Sequence, residues 1–278
     1  MTLIGRRLVL WFFPAALGLA TAAVLAAGFT AALQGRLGEP VDPSAIPVTT
    51  PAVPLATAAA DGAFRIVALG DSLTRGAGDV AGGGGYPERV AAALRKAGLT
   101  VSVDNLGVDG AETGDLLRNV GDPDARRRIA QAQLILMSIS GNDLSHSLPT
   151  MSTASAGAES DPTAPALRTA SLNLQRILSA VREANGSSPI RLLGLYNPFP
   201  ETFDKRTAKE TLLKWNVTLE EASYSVSGAS VVPTADLFDE RPDRLSSDRF
   251  HPGPNGYGEI ASRILSTLNL PAAAPQRS

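Results

Sequence analysis

The chain predicts an α/β fold, a three-layer α/β/α sandwich built on a five-stranded parallel sheet. Two observations predict it. From Phe64 onward, short aliphatic and β-branched runs alternate with stretches of helical periodicity, the pattern of a parallel sheet flanked by helices. Polar residues and glycines then gather directly after three of those runs, where an open parallel sheet places its ligand crevice. The 278 residues leave room for one such domain and additional segments.

Two segments precede the domain. Leu8 to Leu33 is a run of 26 residues without a charged side chain, and about 20 apolar residues suffice to cross a bilayer. Residues 1–37 are therefore expected to form an N-terminal transmembrane anchor or signal sequence. Arg6 and Arg7 precede the apolar run and only Arg36 follows closely, so the positive-inside bias keeps the N-terminus cytoplasmic and sends the remainder outward. The run exceeds the roughly 7–15 apolar residues of a cleaved signal, which favours an uncleaved single-pass anchor. Cleavage among the small residues of 26–32 would instead release a secreted protein. Residues 38–60 carry Pro40, Pro43, Pro47, Pro51 and Pro54 at short intervals and read as an extended stalk, because proline fixes φ and restricts the residue before it. The domain is expected over 61–271, followed by a short tail, 272–278.

Within the domain, Phe64–Leu69 is the first predicted strand. After the glycine-rich turn at Gly82–Gly85, Tyr86, Val90, Ala93 and Leu94 recur at helical spacing, and Gly98 supplies a stop. Thr100–Leu106 is the second strand. Asp122 and Pro123 make a helix start, with Asp as the cap and Pro in the first turn. The third strand, Leu134–Ile139, is almost wholly apolar, as strands buried on both faces are. Leu167, Leu174, Ile177, Leu178 and Val181 draw one apolar stripe along a helix that precedes the fourth strand, Ile190–Tyr196. Another helical region covers about Lys205–Ser225, before a weaker fifth strand, Ser230–Pro233. Tyr257, Ile260, Ala261, Ile264, Leu265 and Leu268 place one apolar face on the last helix. The segment 145–165 is rich in small residues and aperiodic. Loops beyond about 12–15 residues commonly act as lids or binding loops, which puts this one beside the substrate pocket.

Composition excludes several function classes. The formal net charge is −2, with no Lys/Arg run interleaved with aromatics, so no electrostatic footprint for nucleic acid exists. The absence of cysteine removes disulfides, thiolate metal sites and a cysteine nucleophile together. His146 and His251 are the only histidines, and neither belongs to an i,i+4 metal motif, which argues against a catalytic zinc.

What remains is hydroxyl chemistry at the strand ends. Gly70-Asp71-Ser72-Leu73-Thr74-Arg75-Gly76 follows the first strand, Gly107-Val108-Asp109-Gly110 the second, and Ser140-Gly141-Asn142-Asp143 the third. Ser247-Asp248-Arg249-Phe250-His251-Pro252 stands immediately before the last helix. A serine hydroxyl is a poor nucleophile and needs a base within hydrogen-bond reach, itself oriented by an acid. Ser72, His251 and Asp248 are the candidates. A developing oxyanion needs donors, each worth about 3–4 kcal/mol, and the N–H groups of Ser72 and Gly107 and the side-chain amide of Asn142 could supply them. A glycine at 107 lets the main chain approach a substrate oxygen with no Cβ in the way. Plainer readings cover the neighbours. Asp71 supports the turn, Asp143 bonds its own loop, Asn142 also suits a left-handed turn, His146 is an exposed loop residue, and Arg126, Arg127 and Arg128 form a solvated helix face.

These blocks, in this order and on these strand ends, resemble the SGNH/GDSL hydrolases over about Arg65 to Leu270. The chain looks similar to the small bacterial exported or membrane-anchored branch, whose first block reads Gly-Asp-Ser-Leu-Thr and continues to Gly-Gly-Tyr, here Gly84-Gly85-Tyr86. The resemblance implies a flavodoxin-like fold without metal or cofactor. It implies Ser72 as nucleophile and oxyanion donor, Gly107 and Asn142 as further donors, His251 as base and Asp248 as its orienter. One position departs from the pattern: the family usually has glycine two residues before the asparagine, and Ser140 stands there. The implied activity is hydrolysis, through an acyl-enzyme, of lipid, short-chain acyl or O-acetyl esters of small molecules or glycans outside the cytoplasmic membrane. The same residues also allow a non-catalytic surface binding module, or an acyltransferase with an acceptor other than water.

Overall fold

The computed structural model describes residues 53–54, 62–80, 82–148, 161, 163–198 and 205–269. Strands β1 (Ala63–Gly70), β2 (Thr100–Gly107), β3 (Leu134–Ser138), β4 (Ile190–Leu193) and β5 (Ala229–Val232) form one sheet in the order β2-β1-β3-β4-β5, every neighbouring pair parallel. The helices are α1 (Ser72–Arg75), α2 (Gly85–Lys96), α3 (Thr113–Gly121), α4 (Pro123–Gln131), α5 (Gly141–Ser145), α6 (Ala164–Ala184), α7 (Lys205–Tyr224), α8 (Ala235–Phe238) and α9 (Pro254–Ser266). The chain leaves β1 toward β2 on one side and leaves β3 toward β4 on the other. The diverging loops open a crevice at the carboxyl ends of these two strands.

Strand alternation sorts the apolar side chains into two cores, one on each face of the sheet. Phe64, Ile66 and Ala68 of β1 join Leu134 and Leu136 of β3 against Tyr86, Val90 and Leu94 of α2 and Tyr257, Ile260 and Ile264 of α9. Val67 and Leu69 join Ile135 and Met137 on the other face, under Leu116, Ile129, Leu174, Ile177, Leu178 and Trp215. The sheet is thus covered on both sides, as the alternation of elements predicts. Asp122 caps α4 by accepting from the N–H groups of Asp124 and Ala125, with Pro123 at the first position.

Four local differences have physical causes. Helix α3 was not expected, because its apolar stripe is short. It is stabilised at its start by reciprocal capping between Glu112 and Asp115. Strand β4 stops at Leu193 rather than running to Tyr196, because the Asn216 side chain takes over the next peptide, accepting from Leu195 N at 2.8 Å and donating to Leu195 O at 3.0 Å. Leu268 lies past the end of α9, which stops at Ser266, and pairs in parallel register with Val53. The pair Val53–Pro54 against Leu268–Asn269 shows that the proline-rich segment, read from the sequence as an extended stalk, contributes a two-residue strand. Proline is tolerated at such edge positions.

Among the described residues no helix is long and apolar enough to cross a membrane. The apolar stretch 8–33, the rest of 1–37, most of 38–60 and the tail 272–278 lie outside them, as does most of 145–165.

Candidate active site

Ser72 is the first residue of α1, directly beyond β1, and its N–H is one of the donors a helix start leaves unsatisfied. Asp71 caps the turn through Oδ1, which accepts from Leu73 N at 3.1 Å. The structural reading of Asp71 therefore holds. From the far end of the chain, His251 brings Nε2 to 2.9 Å from Ser72 Oγ, and Asp248 Oδ2 lies 2.7 Å from His251 Nδ1. The three candidates meet.

Asp248 is held in place by its own loop. Its Oδ1 accepts from Ser246 Oγ at 2.6 Å and from the N–H groups of Phe250 and His251, both at 2.9 Å. Burial alone would raise its pKa, but these bonds and the one from the His251 ring outweigh it and hold the carboxyl well below the usual carboxylate range. An ionised Asp248 fixes the proton on Nδ1 and leaves Nε2 as the acceptor facing the serine. Three groups whose role here the sequence did not reveal hold this loop and the turn after α1 that faces it. Tyr196, beyond β4, donates its hydroxyl to Phe250 O at 2.7 Å, and Tyr257 of α9 donates to Ala77 O at 2.6 Å. Gly78, at φ +86°, packs so tightly that a Cβ would fall 2.7 Å from Pro252 O and 2.9 Å from His251 Cβ.

The expected oxyanion donors divide. Asn142, in α5, donates one amide hydrogen to Ala111 O at 2.8 Å, which orients the side chain and leaves its second hydrogen free. The left-handed residue in this loop is Ser140, at φ +91°, rather than Asn142. Gly107 differs from expectation. Its N–H donates to Asn105 Oδ1 at 3.0 Å, so it could serve an oxyanion only by sharing that hydrogen. The glycine is required by the protein's own packing: a Cβ would lie 2.5 Å from Arg75 N and 2.9 Å from Asp71 O. Asn105 also donates to Thr74 O at 2.7 Å and so clamps the end of β2 to α1. In the sequence Asn105 is one residue of the second strand, with no local signal of this role.

Beside Ser72 lies a cavity of about 30 Å³, bordered by Asn142 and by the apolar Leu73, Leu195, Tyr196, Pro198, Leu212 and Phe250. Asp143 bonds its own backbone, as expected, and also reaches further. Its carboxylate accepts from Thr113 N at 3.0 Å and Thr113 Oγ1 at 2.6 Å, tying α5 to the start of α3, and burial raises its pKa. His146 is exposed as expected, with Nδ1 2.9 Å from Glu112 Oε1. Arg127 and Arg128 pair with Asp124 on the surface of α4. Among the described residues no cluster of three or more His, Asp or Glu is placed to hold a metal ion.

A strand-end serine with an aligned His–Asp pair, at the switch point of a parallel sheet, defines the class of a serine hydrolase. The family profile described as GDSL-like lipase/acylhydrolase matches residues 68–258. An uncharacterized protein of Bacillus subtilis, YpmR, is 32% identical over 209 residues, covering 73% of this chain and 80% of its own. The spore germination lipase LipC of Bacillus licheniformis is 28% identical, covering 72% and 94% respectively. The crystal structure of the lipase Lip_vut3 from a goat rumen metagenome superposes with a TM-score of 0.65 at 27% identity, over 73% of this chain and 97% of that one. The chain belongs to the GDSL-like lipase/acylhydrolase family and is a carboxylic ester hydrolase.

Proposed function

We propose that the protein hydrolyses esters of short acyl groups through an acyl-enzyme on Ser72. The observation that carries this reading is the unbroken line Ser72 Oγ, His251 Nε2, His251 Nδ1, Asp248 Oδ2, with gaps of 2.9 and 2.7 Å. Ser72 Oγ attacks the ester carbonyl carbon while its proton passes to His251 Nε2, and Asp248 steadies the imidazolium. The carbonyl oxygen becomes an anion held by Ser72 N–H and the free amide hydrogen of Asn142, with Gly107 N–H shared from Asn105. The His251 proton then goes to the leaving alkoxide, and the acyl group stays on Ser72. Water repeats the sequence, giving its proton to His251 and releasing the carboxylic acid.

The pocket beside Ser72 supports a short acyl group. Apart from Asp71, Ser72 and Asn142 its lining is largely apolar, and its volume is small, about 30 Å³. The location is part of the same reading: the uncharged run 8–33 after Arg6 and Arg7 would tether the domain outside the cytoplasmic membrane, where envelope lipids and acylated glycans offer such esters. A panel of nitrophenyl esters of increasing chain length tests it. Turnover is expected to be highest for acetyl and butyryl esters and to vanish in Ser72→Ala. Equal turnover by both proteins, or preference for long chains, would remove the corresponding part of the proposal.

A further inference from the structure

Beneath Ser72, three hydroxyls and a carboxyl share a buried chain of short contacts. Thr74 Oγ1 lies 2.9 Å from Leu69 O, 2.7 Å from the Tyr86 hydroxyl and 2.7 Å from Ser138 Oγ, and Ser138 Oγ lies 2.7 Å from Asp71 Oδ1. Asp71, Thr74, Tyr86 and Ser138 are each no more than 2% exposed. Each of these four oxygen–oxygen contacts requires one hydrogen. The hydroxyls of Thr74, Tyr86 and Ser138 bring one apiece. Leu69 O only accepts, and so does an ionised Asp71. With Asp71 charged, one contact of 2.7–2.9 Å is left holding two oxygens and no hydrogen between them. A proton on Asp71 completes the set: Asp71 donates to Ser138, Ser138 to Thr74, Thr74 to Leu69 O, and Tyr86 donates into Thr74.

We propose that Asp71 is a neutral carboxylic acid in the folded enzyme, a positioning residue that ties the nucleophile turn to β1, β3 and α2 without setting a charge beside Ser72. Its surroundings agree. The remaining contact of Oδ1 is the Leu73 N–H, and no Lys or Arg pairs with Asp71 among the described residues. The titratable groups within its field are Tyr86 of α2, Tyr196 beyond β4, Tyr257 of α9 and His251, of which only the imidazole can become cationic. Burial pushes the Asp71 carboxyl up, against the lowering effect of its hydrogen bonds. It also pushes the Tyr86 phenol far above its ordinary range, so that hydroxyl keeps its hydrogen.

The neutral state has a chemical purpose. Asp71 borders the same cavity as Ser72 and Asn142, and an anion there would repel the oxyanion. An unfolded Asp ionises near pH ~3.9, whereas the folded residue keeps its proton to higher pH. The stabilising contribution of Asp71 is therefore complete below that value and declines as pH rises toward its folded pKa. The protonation state rests on the hydrogen count alone, and only its consequence for rate depends on Ser72 being the nucleophile.

Two measurements on the full-length chain test the proposal. With 13C-labelled aspartate, the Asp71 Cγ resonance is identified by correlation to its own amide and by its loss in Asp71→Asn. It is expected at the position of a protonated acid at pH values where ordinary aspartates are already ionised. A carboxylate resonance at neutral pH overturns the proposal even if the enzyme is fully active. The second readout is the pH profile of kcat/KM. Wild type loses activity on the alkaline side as Asp71 ionises, and Asp71→Asn, which cannot ionise, lacks that fall. Superimposable profiles overturn the rate consequence. Should Asp71→Asn fail to fold, the wild-type resonance decides alone.

Discussion

Replacing Ser140 by glycine should stabilise the protein. Ser140 is fully buried at φ +91°, and its hydroxyl has no hydrogen-bond partner among the described residues. A side chain held in the left-handed region costs about 1–2 kcal/mol, and a buried hydroxyl without a partner about 1–3 kcal/mol. Against these, glycine brings about 0.5–1 kcal/mol of extra chain entropy to overcome, and the lost methylene forfeits about 0.8 kcal/mol of burial. The balance favours Ser140→Gly by about 0.2–3.7 kcal/mol, a rise in Tm of up to roughly 15 °C for a domain of this size. Ser140→Ala separates the two causes, since it keeps the Cβ and its strain but removes the hydroxyl. Urea and thermal unfolding should place both the Gly and the Ala variant above Ser. A Ser140→Gly midpoint below wild type would refute the strain argument, and an Ala midpoint below Ser would show that the hydroxyl is bonded after all.

Asn142→Ala should lower kcat by about 100- to 1,000-fold with little change in KM, because its free amide hydrogen acts on the oxyanion rather than on the bound ester; steady-state kinetics on a nitrophenyl ester checks this, and a change confined to KM would count against it. Gly78→Ala forces a Cβ into Pro252 O and His251 Cβ and should move the imidazole off Ser72. The expected result is a loss of about 100-fold in kcat, the scale of a misplacement near 1 Å, in a protein whose circular dichroism is unchanged. Near-normal kcat would show that the His251 loop does not depend on this contact.

The sheet and the proposed catalytic line were legible because each rests on a local signal. Apolar runs such as Leu134–Met137 declare buried strands, and Ser72, Asp248 and His251 sit in short blocks whose residue types suit one chemistry. Asn142 was legible for the same reason. What stayed hidden depends on side chains reaching backbone or hydroxyl groups far away in the chain. Asn216 ends β4 from 21 residues away, Asn105 takes the Gly107 N–H while also holding Thr74 O, and Asp143 also reaches Thr113, 30 residues earlier. Ser138 and Tyr86 read as ordinary strand and helix residues until the fold sets them against Thr74. The departure at Ser140 was visible as a residue type, but its strain and its orphaned hydroxyl belong to the backbone angle and the packing.

Covalent trapping interrogates the catalytic line most directly. A fluorophosphonate should label the folded full-length protein at a single site, mapped by mass spectrometry to Ser72, with labelling slowed by at least about 1,000-fold in His251→Ala, where the base is gone. Modification of another residue, or equally fast labelling without His251, would contradict the account.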